Sequence, residues 1–198
     1  MRKALFITFL FLLPISVFSQ RVTFQDASFD NGMTYPVIIF RSDSAVERLI
    51  NLDVTANVAG YESQDFCIGQ SGFVQKTSFV QVHIYANCID MDKSENNYYL
   101  YDLESGKRCK ISNMINPKID HEFDAFFRSR VKAYATDEEL SLTKEETASL
   151  STLLVDEFIG ILESEGIQFT SLDIGTWGTK KMFISWNDIQ TYLKLKYL

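Results

Sequence analysis

The sequence is short of several things, and each shortage excludes a class of protein. Its 198 residues include only three prolines, three cysteines, two histidines and two tryptophans. With few prolines, 46% hydrophobic and 14% aromatic residues, it is neither a disordered linker nor a collagen-like fibre. Two histidines cannot build a three-histidine zinc site, and the cysteines form no Cys-x-x-Cys pair. No phosphate-binding loop, dinucleotide fingerprint or serine nucleophile elbow occurs. Basic residues are the minority, 19 against 26 acidic, giving a net charge of −7 and a pI near 4.9. That balance argues against nucleic acid as a partner, because nucleic-acid binders carry a basic footprint.

What is present begins at the N-terminus. Arg2 and Lys3 precede an apolar run from Ala4 to Leu13, broken only by Thr8; Pro14 follows, and Val17-Phe18-Ser19 offers a small residue before a cut near Ser19 or Gln20. This pattern predicts a secretory signal peptide over residues 1–20 rather than a membrane span, since the run is too short to cross a bilayer. The mature chain, 21–198, is then expected in the periplasm or outside the cell. It has no second apolar stretch of spanning length, hence no expected transmembrane segment. Loss of two basic residues leaves it at about −9, a charge that steers basic partners inward. In an oxidising compartment an odd number of cysteines implies one disulfide among Cys67, Cys88 and Cys109 plus one thiol. Spacing leaves the pairing open.

Periodicity supplies the elements. Thr34–Arg41 reads as a strand, followed by a helix capped at Ser42 or Asp43, running to about Val58, burying Val46, Leu49, Ile50, Val54 and Val58, and stopped at Gly60. Asp65–Gly69 and Phe73–Thr77 read as strands around a Gly69–Gly72 turn. In Phe79–Cys88, Val80, Val82, Ile84, Ala86 and Cys88 share one face, and Gln81, His83, Tyr85 and Asn87 the other. Asn97–Leu103 and Arg108–Ile111 make a hairpin around Glu104–Lys107. A helix over Asp120–Tyr134 carries a stripe of Phe123, Phe126, Phe127, Val131 and Tyr134. A longer one is expected over Lys144–Glu165, opened by a Thr143/Glu146 capping box and ended by Gly166. Strands at Ile167–Leu172 and Lys181–Ser185 and a last capped helix complete an α+β module: a largely antiparallel sheet with helices on one side, built as one domain or as two small lobes of about 21–115 and 116–198.

The order of these elements resembles a family of unknown-function bacterial envelope domains. Its members form the ectodomain of lysozyme-responsive anti-sigma factors and accompany a peptidoglycan deacetylase domain. The matching stretches are Tyr35-Pro36-Val37-Ile38 with the helix bearing Ile50-Asn51, the block Tyr98–Lys107, Ile111–Ile115, and the closing Met182–Leu193. Many members carry a glycine-and-histidine motif before the aromatic strand, where this chain has Asp92-Lys93-Ser94-Glu95-Asn96. The resemblance implies a non-catalytic module and supplies no catalytic residues.

Candidate chemistry is sparse. His83 and Cys88 fall on opposite faces of one strand, so they do not form a nucleophile–base pair. Asp90–Asn96 looks like a calcium loop, but Glu95 and Tyr101 stand where glycine and glutamate are required, so no metal or other cofactor is expected. Paired carboxylates for glycan hydrolysis are the alternative enzyme reading, yet most acids fall on polar helix faces or near helix starts. Trp177, between Gly175 and Gly178, together with Tyr99 and Tyr101 on one strand face, are the candidate binding residues, because exposed rings suit sugar stacking or protein contact. The expectation is a binding module for a lysozyme-like basic protein or for peptidoglycan, with an envelope hydrolase or a structural accessory subunit as the other readings.

Overall fold

The structure, a computed structural model, describes residues 22–76, 78–89, 91, 94–171 and 180–194. The predicted signal peptide, Asp90, Asp92 and Lys93 of the polar loop, and Trp177 lie outside the described residues. Among those residues, no helix is long and apolar enough to cross a membrane.

Strand β1 (Thr23–Ser28) pairs antiparallel with β2 (Thr34–Ile39). No residue of β1 is fully buried, so it lacks the apolar alternation by which a strand is recognised in sequence. Helix α1 (Ser44–Glu62) starts where Asp43 caps it, its carboxylate accepting from Ala45 N at 3.0 Å and Val46 N at 3.1 Å. Val46, Ile50, Val54 and Val58 are buried as expected, whereas Leu49 is exposed. The helix passes through Gly60 because nothing there requires a turn.

Strand β3 (Cys67–Lys76) is continuous, which corrects the reading of two short strands around a glycine turn. Gly69 answers a close approach instead: β2 crosses so near that a Cβ would lie 2.4 Å from Thr34 N. β3 pairs along its length with β4 (Phe79–Cys88), which pairs in turn with β5 (Glu95–Asp102). The short β6 (Arg108–Cys109) closes a four-stranded antiparallel sheet. Val80, Val82, Ile84, Ala86 and Cys88 face α1 and β2, forming one core with Met33, Ile38 and Phe40.

The C-terminal half builds a second core. Helix α2 (Asp120–Asp137) buries Phe123, Phe127 and Val131 against β7 (Ile159–Leu162), β8 (Gly166–Thr170) and β9 (Met182–Ser185), a three-stranded antiparallel sheet. The expected long helix is only α3 (Lys144–Ser149). Its capping box forms, with Glu146 N donating to Thr143 Oγ1 at 3.1 Å and Thr143 N to Glu146 Oε2 at 2.7 Å. At its end and just beyond, the hydroxyls of Ser149, Ser151 and Thr152 donate back to carbonyls three residues earlier and compete with helix continuation. Leu150, Leu153, Phe158 and Leu162 still reach the core, from a turn and a strand rather than from one helical face. Ser185 caps the short α4 (Trp186–Ile189) as expected.

The fold is therefore α+β with antiparallel pairing, but its strands form separate sheets of two, four and three. The cores meet at the four-stranded sheet, whose Phe79 and Leu100 join the C-terminal core. Gln81 latches the junction. Its buried amide donates to Gly160 O at 2.7 Å and accepts from Leu162 N at 2.8 Å, taking the place of a strand neighbour on β7. Nearby, Lys76 Nζ lies 4.9 Å above the Trp186 ring.

Candidate functional site

The junction opens into a cleft of about 280 Å³. Its lining comes from β5 (Tyr98, Tyr99), from the departing β6 segment (Arg108 to Ile111), and from Asp156 and Phe158–Gly160 ahead of and within β7. The local cause is the brevity of β6. Only Leu100 and Tyr101 find partners in Cys109 and Arg108. Then Lys110 N donates to Asn113 Oδ1 at 2.7 Å and the chain winds into a 3₁₀ turn over Ile111–Met114. Gly160 lets β7 pass close to that turn, since a Cβ there would lie 2.6 Å from Ile111 Cγ1.

Of the predicted binding residues, Tyr99 lines the cleft and Tyr101 does not. Tyr99 is half-buried with the Arg108 guanidinium 4.4 Å from its ring centroid. Tyr101 is fully buried, and its hydroxyl donates to Asp53 Oδ2 at 2.7 Å. Arg108 donates to the same oxygen from Nη2 at 2.7 Å and Nε at 3.0 Å. Tyr101 is thus a core residue with a satisfied polar end, and surface contact is not open to it.

Tyr98 is the residue that sequence reasoning passed over. It stacks on His83 with centroids 4.5 Å apart, and His83 Nε2 lies 3.1 Å from Asn96 Oδ1. The signal was in the alternation: Tyr98 shares the polar face with His83 and Tyr85, the half of the sheet that the C-terminal core leaves uncovered.

Burial pushes the phenol of Tyr98 above the usual tyrosine range, and the Glu163 carboxylate adds to it. Burial likewise raises Tyr99, with Arg108 opposing and Asp53 and Glu95 assisting. Burial and the Asp53 hydrogen bond raise Tyr101 further. Burial disfavours the charged Arg108, but its contacts with Asp53 and Tyr101 hold it above its ordinary value. At neutral pH the cleft therefore presents neutral rings with donor hydroxyls and a fixed cation.

Among the described residues, Asp156 is the one carboxylate in the cleft lining; it accepts from Ser112 N at 3.1 Å and Ser112 Oγ at 2.6 Å, with Lys110 Nζ 3.9 Å away. Among the described residues, no three His, Cys, Asp or Glu side chains gather to hold a metal ion. The disulfide is Cys67–Cys88, directly opposite in the β3–β4 register. Cys109 keeps its thiol, half-buried at the cleft.

No family model matches the chain, and no curated protein sequence matches it. Solved structures do resemble it. A DUF3298 family protein from Pseudomonas aeruginosa PAO1 aligns over 90% of this chain and 96% of its own, with a TM-score of 0.54 and 11% identity. A DUF3298 member from Bacteroides fragilis NCTC 9343 aligns over 89% and 92%, with a TM-score of 0.50 and 10% identity. At these identities the likeness establishes the fold, shared with a domain family of unknown function.

Proposed function

We propose that this chain is an exported, non-catalytic binding module of the bacterial envelope, and that it binds peptidoglycan. The observation that carries the reading is the cleft between the two cores. Tyr98, stacked on His83, and Tyr99, beneath Arg108, line it, while Lys110, Asp156 and Gln81 add polar groups. Aromatic side chains combined with fixed donors and acceptors suit a polar, ring-bearing ligand such as a glycan with attached peptides. The signal-peptide pattern and the disulfide support export, because disulfides persist in oxidising compartments. The resemblance to envelope domains supports the same location. A lone anchored carboxylate in the cleft gives no support to a two-carboxylate hydrolase.

A lysozyme-like basic protein is the second reading, and charge favours it. Between Asp137 and Glu165 the sequence has nine acidic residues and one basic residue, Lys144. Such a stretch attracts a basic partner over about a Debye length, roughly 8 Å at physiological salt.

The test is binding of the mature chain from Arg21 to insoluble peptidoglycan and, in parallel, to a c-type lysozyme, at low and high salt. Retention on peptidoglycan with no lysozyme complex is the expected result. A salt-sensitive lysozyme complex without peptidoglycan retention overturns the first reading in favour of the second.

A further inference from the structure

The cleft lies in an empty strand lane. β5 is paired with β4 from Glu95 to Asp102, yet β6 covers only Leu100 and Tyr101 on its other side. From Glu95 to Tyr99 no strand lies along that edge among the described residues. The hydrogen-bonding phase is fixed at the hairpin, where Asp102 N donates to Lys107 O at 3.0 Å. Antiparallel alternation then turns the main-chain N–H and C=O groups of Leu100, Tyr98 and Asn96 toward the same side. Those of Tyr98 and Asn96 point into the lane that β6 vacates.

Strand edges are commonly blunted by charged side chains, proline or a bulge; Glu95 puts one charge at the start of this edge, and Asn96, Asn97, Tyr98 and Tyr99 supply neither charge nor proline. Charge at the end of the lane is distinctive as well. Arg108 lines the cleft but is held by Asp53, its Nη2 2.7 Å from Asp53 Oδ2, so the cation that projects from the lining is Lys110, with Asp156 as its partner. On the other side of β6, a second concavity of about 270 Å³ adds Lys107 and Lys194 against Asp102. The Lys110 side chain is 72% exposed, and its one ion pair is long at 3.9 Å.

We propose that the open edge of β5, Glu95–Tyr99, docks a short extended peptide by main-chain pairing, and that Lys110 receives a free carboxylate of that peptide. An edge strand gives affinity through backbone hydrogen bonds, and the Lys110 cation at its end sets direction and register. Peptidoglycan stem peptides have this chemistry: short chains of amide groups carrying free carboxylates. The assignment rests on the peptidoglycan reading above and deepens it, placing recognition on the peptide rather than on the sugar.

The experiment titrates the isotope-labelled mature chain with stem peptides released by an amidase and, separately, with the glycan strands left behind. Stem peptides are expected to shift the amide resonances of Asn96, Tyr98 and Lys110. Lys110→Gln is expected to weaken binding at least fivefold, and raising salt to act in the same direction. Asn96→Pro removes one edge donor and is expected to weaken binding also, with circular dichroism checking that it folds. If glycan strands bind and stem peptides do not, this inference is overturned while the peptidoglycan reading stands. If intact peptidoglycan is not retained either, both fall. Peptide binding that leaves the β5 amides unmoved, or that Lys110→Gln does not weaken, also overturns the edge assignment.

Discussion

In the N-terminal half, valines and isoleucines of β4 and α1 pack beneath a hairpin that Cys67–Cys88 closes covalently. In the C-terminal half the packing is carried by rings: Phe127 meets Phe158 at 5.2 Å and Phe169 at 5.0 Å edge-on, and Phe126 stacks on Tyr192 at 5.2 Å. The described part of that half contains no disulfide. One half is thus stapled by a disulfide, and the other is richer in edge-on ring contacts at its centre. The cleft sits where they meet, beside the Gln81 amide that bonds Gly160 O and Leu162 N. A binding surface built there takes a strand edge from the first half and a wall from the second.

The contrast can be broken most severely in the aromatic half. Phe127→Ala empties the centre of a ring cluster and is expected to cost about 3–5 kcal/mol, seen as a lower urea midpoint. Hydrogen exchange should rise in α2 while the β3 and β4 amides, tied by Cys67–Cys88, stay protected; an equal rise in both would mean the halves do not differ as described. Next in size, replacing Cys67 and Cys88 together by alanine releases a 21-residue separation and is expected to cost about 3 kcal/mol. Hydrogen exchange should rise first in β3 and β4, with the α2 amides following only at global unfolding.

The latch comes third. Gln81→Leu leaves Gly160 O and Leu162 N without the partners they have now, at an expected cost of about 1–3 kcal/mol. Faster exchange at the Leu162 amide, with little change at Val54, is the signature to look for.

The smallest effect is alkaline. Tyr61, Tyr99 and Tyr101 all titrate above the normal tyrosine value in the fold, burial being the first cause in each. Unfolded tyrosine ionises near about pH 10. Their contribution to stability is full below that pH and is lost as pH rises toward the folded values. Denaturant midpoints should therefore fall between about pH 9 and 11, and less steeply in Tyr101→Phe.

The halves also differ in how readable they were in sequence. β4 was legible because Val80 to Cys88 alternate without interruption, and α1 because Asp43 and four buried aliphatics agree. The C-terminal half deceived where one apolar spacing satisfies two structures: Leu150, Leu153, Phe158 and Leu162 suit a helix face, yet they are buried from a turn and a strand. Gly69 misled for a different reason, since its purpose is set by β2, far away in sequence. At the site, Tyr99 was found from its ring and its face. Tyr98, Arg108 and Lys110 were not, because the gap left by a two-residue β6 follows from where the chain turns away, and no local motif announces it.

The central claim is that the junction cleft, not the acidic surface, binds peptidoglycan. Its most direct test is co-sedimentation of the mature chain with insoluble peptidoglycan, comparing wild type with Tyr98→Ala and with Glu145→Lys. The account predicts that Tyr98→Ala stays in the supernatant while Glu145→Lys pellets like wild type. Pelleting of Tyr98→Ala at the wild-type level would contradict it.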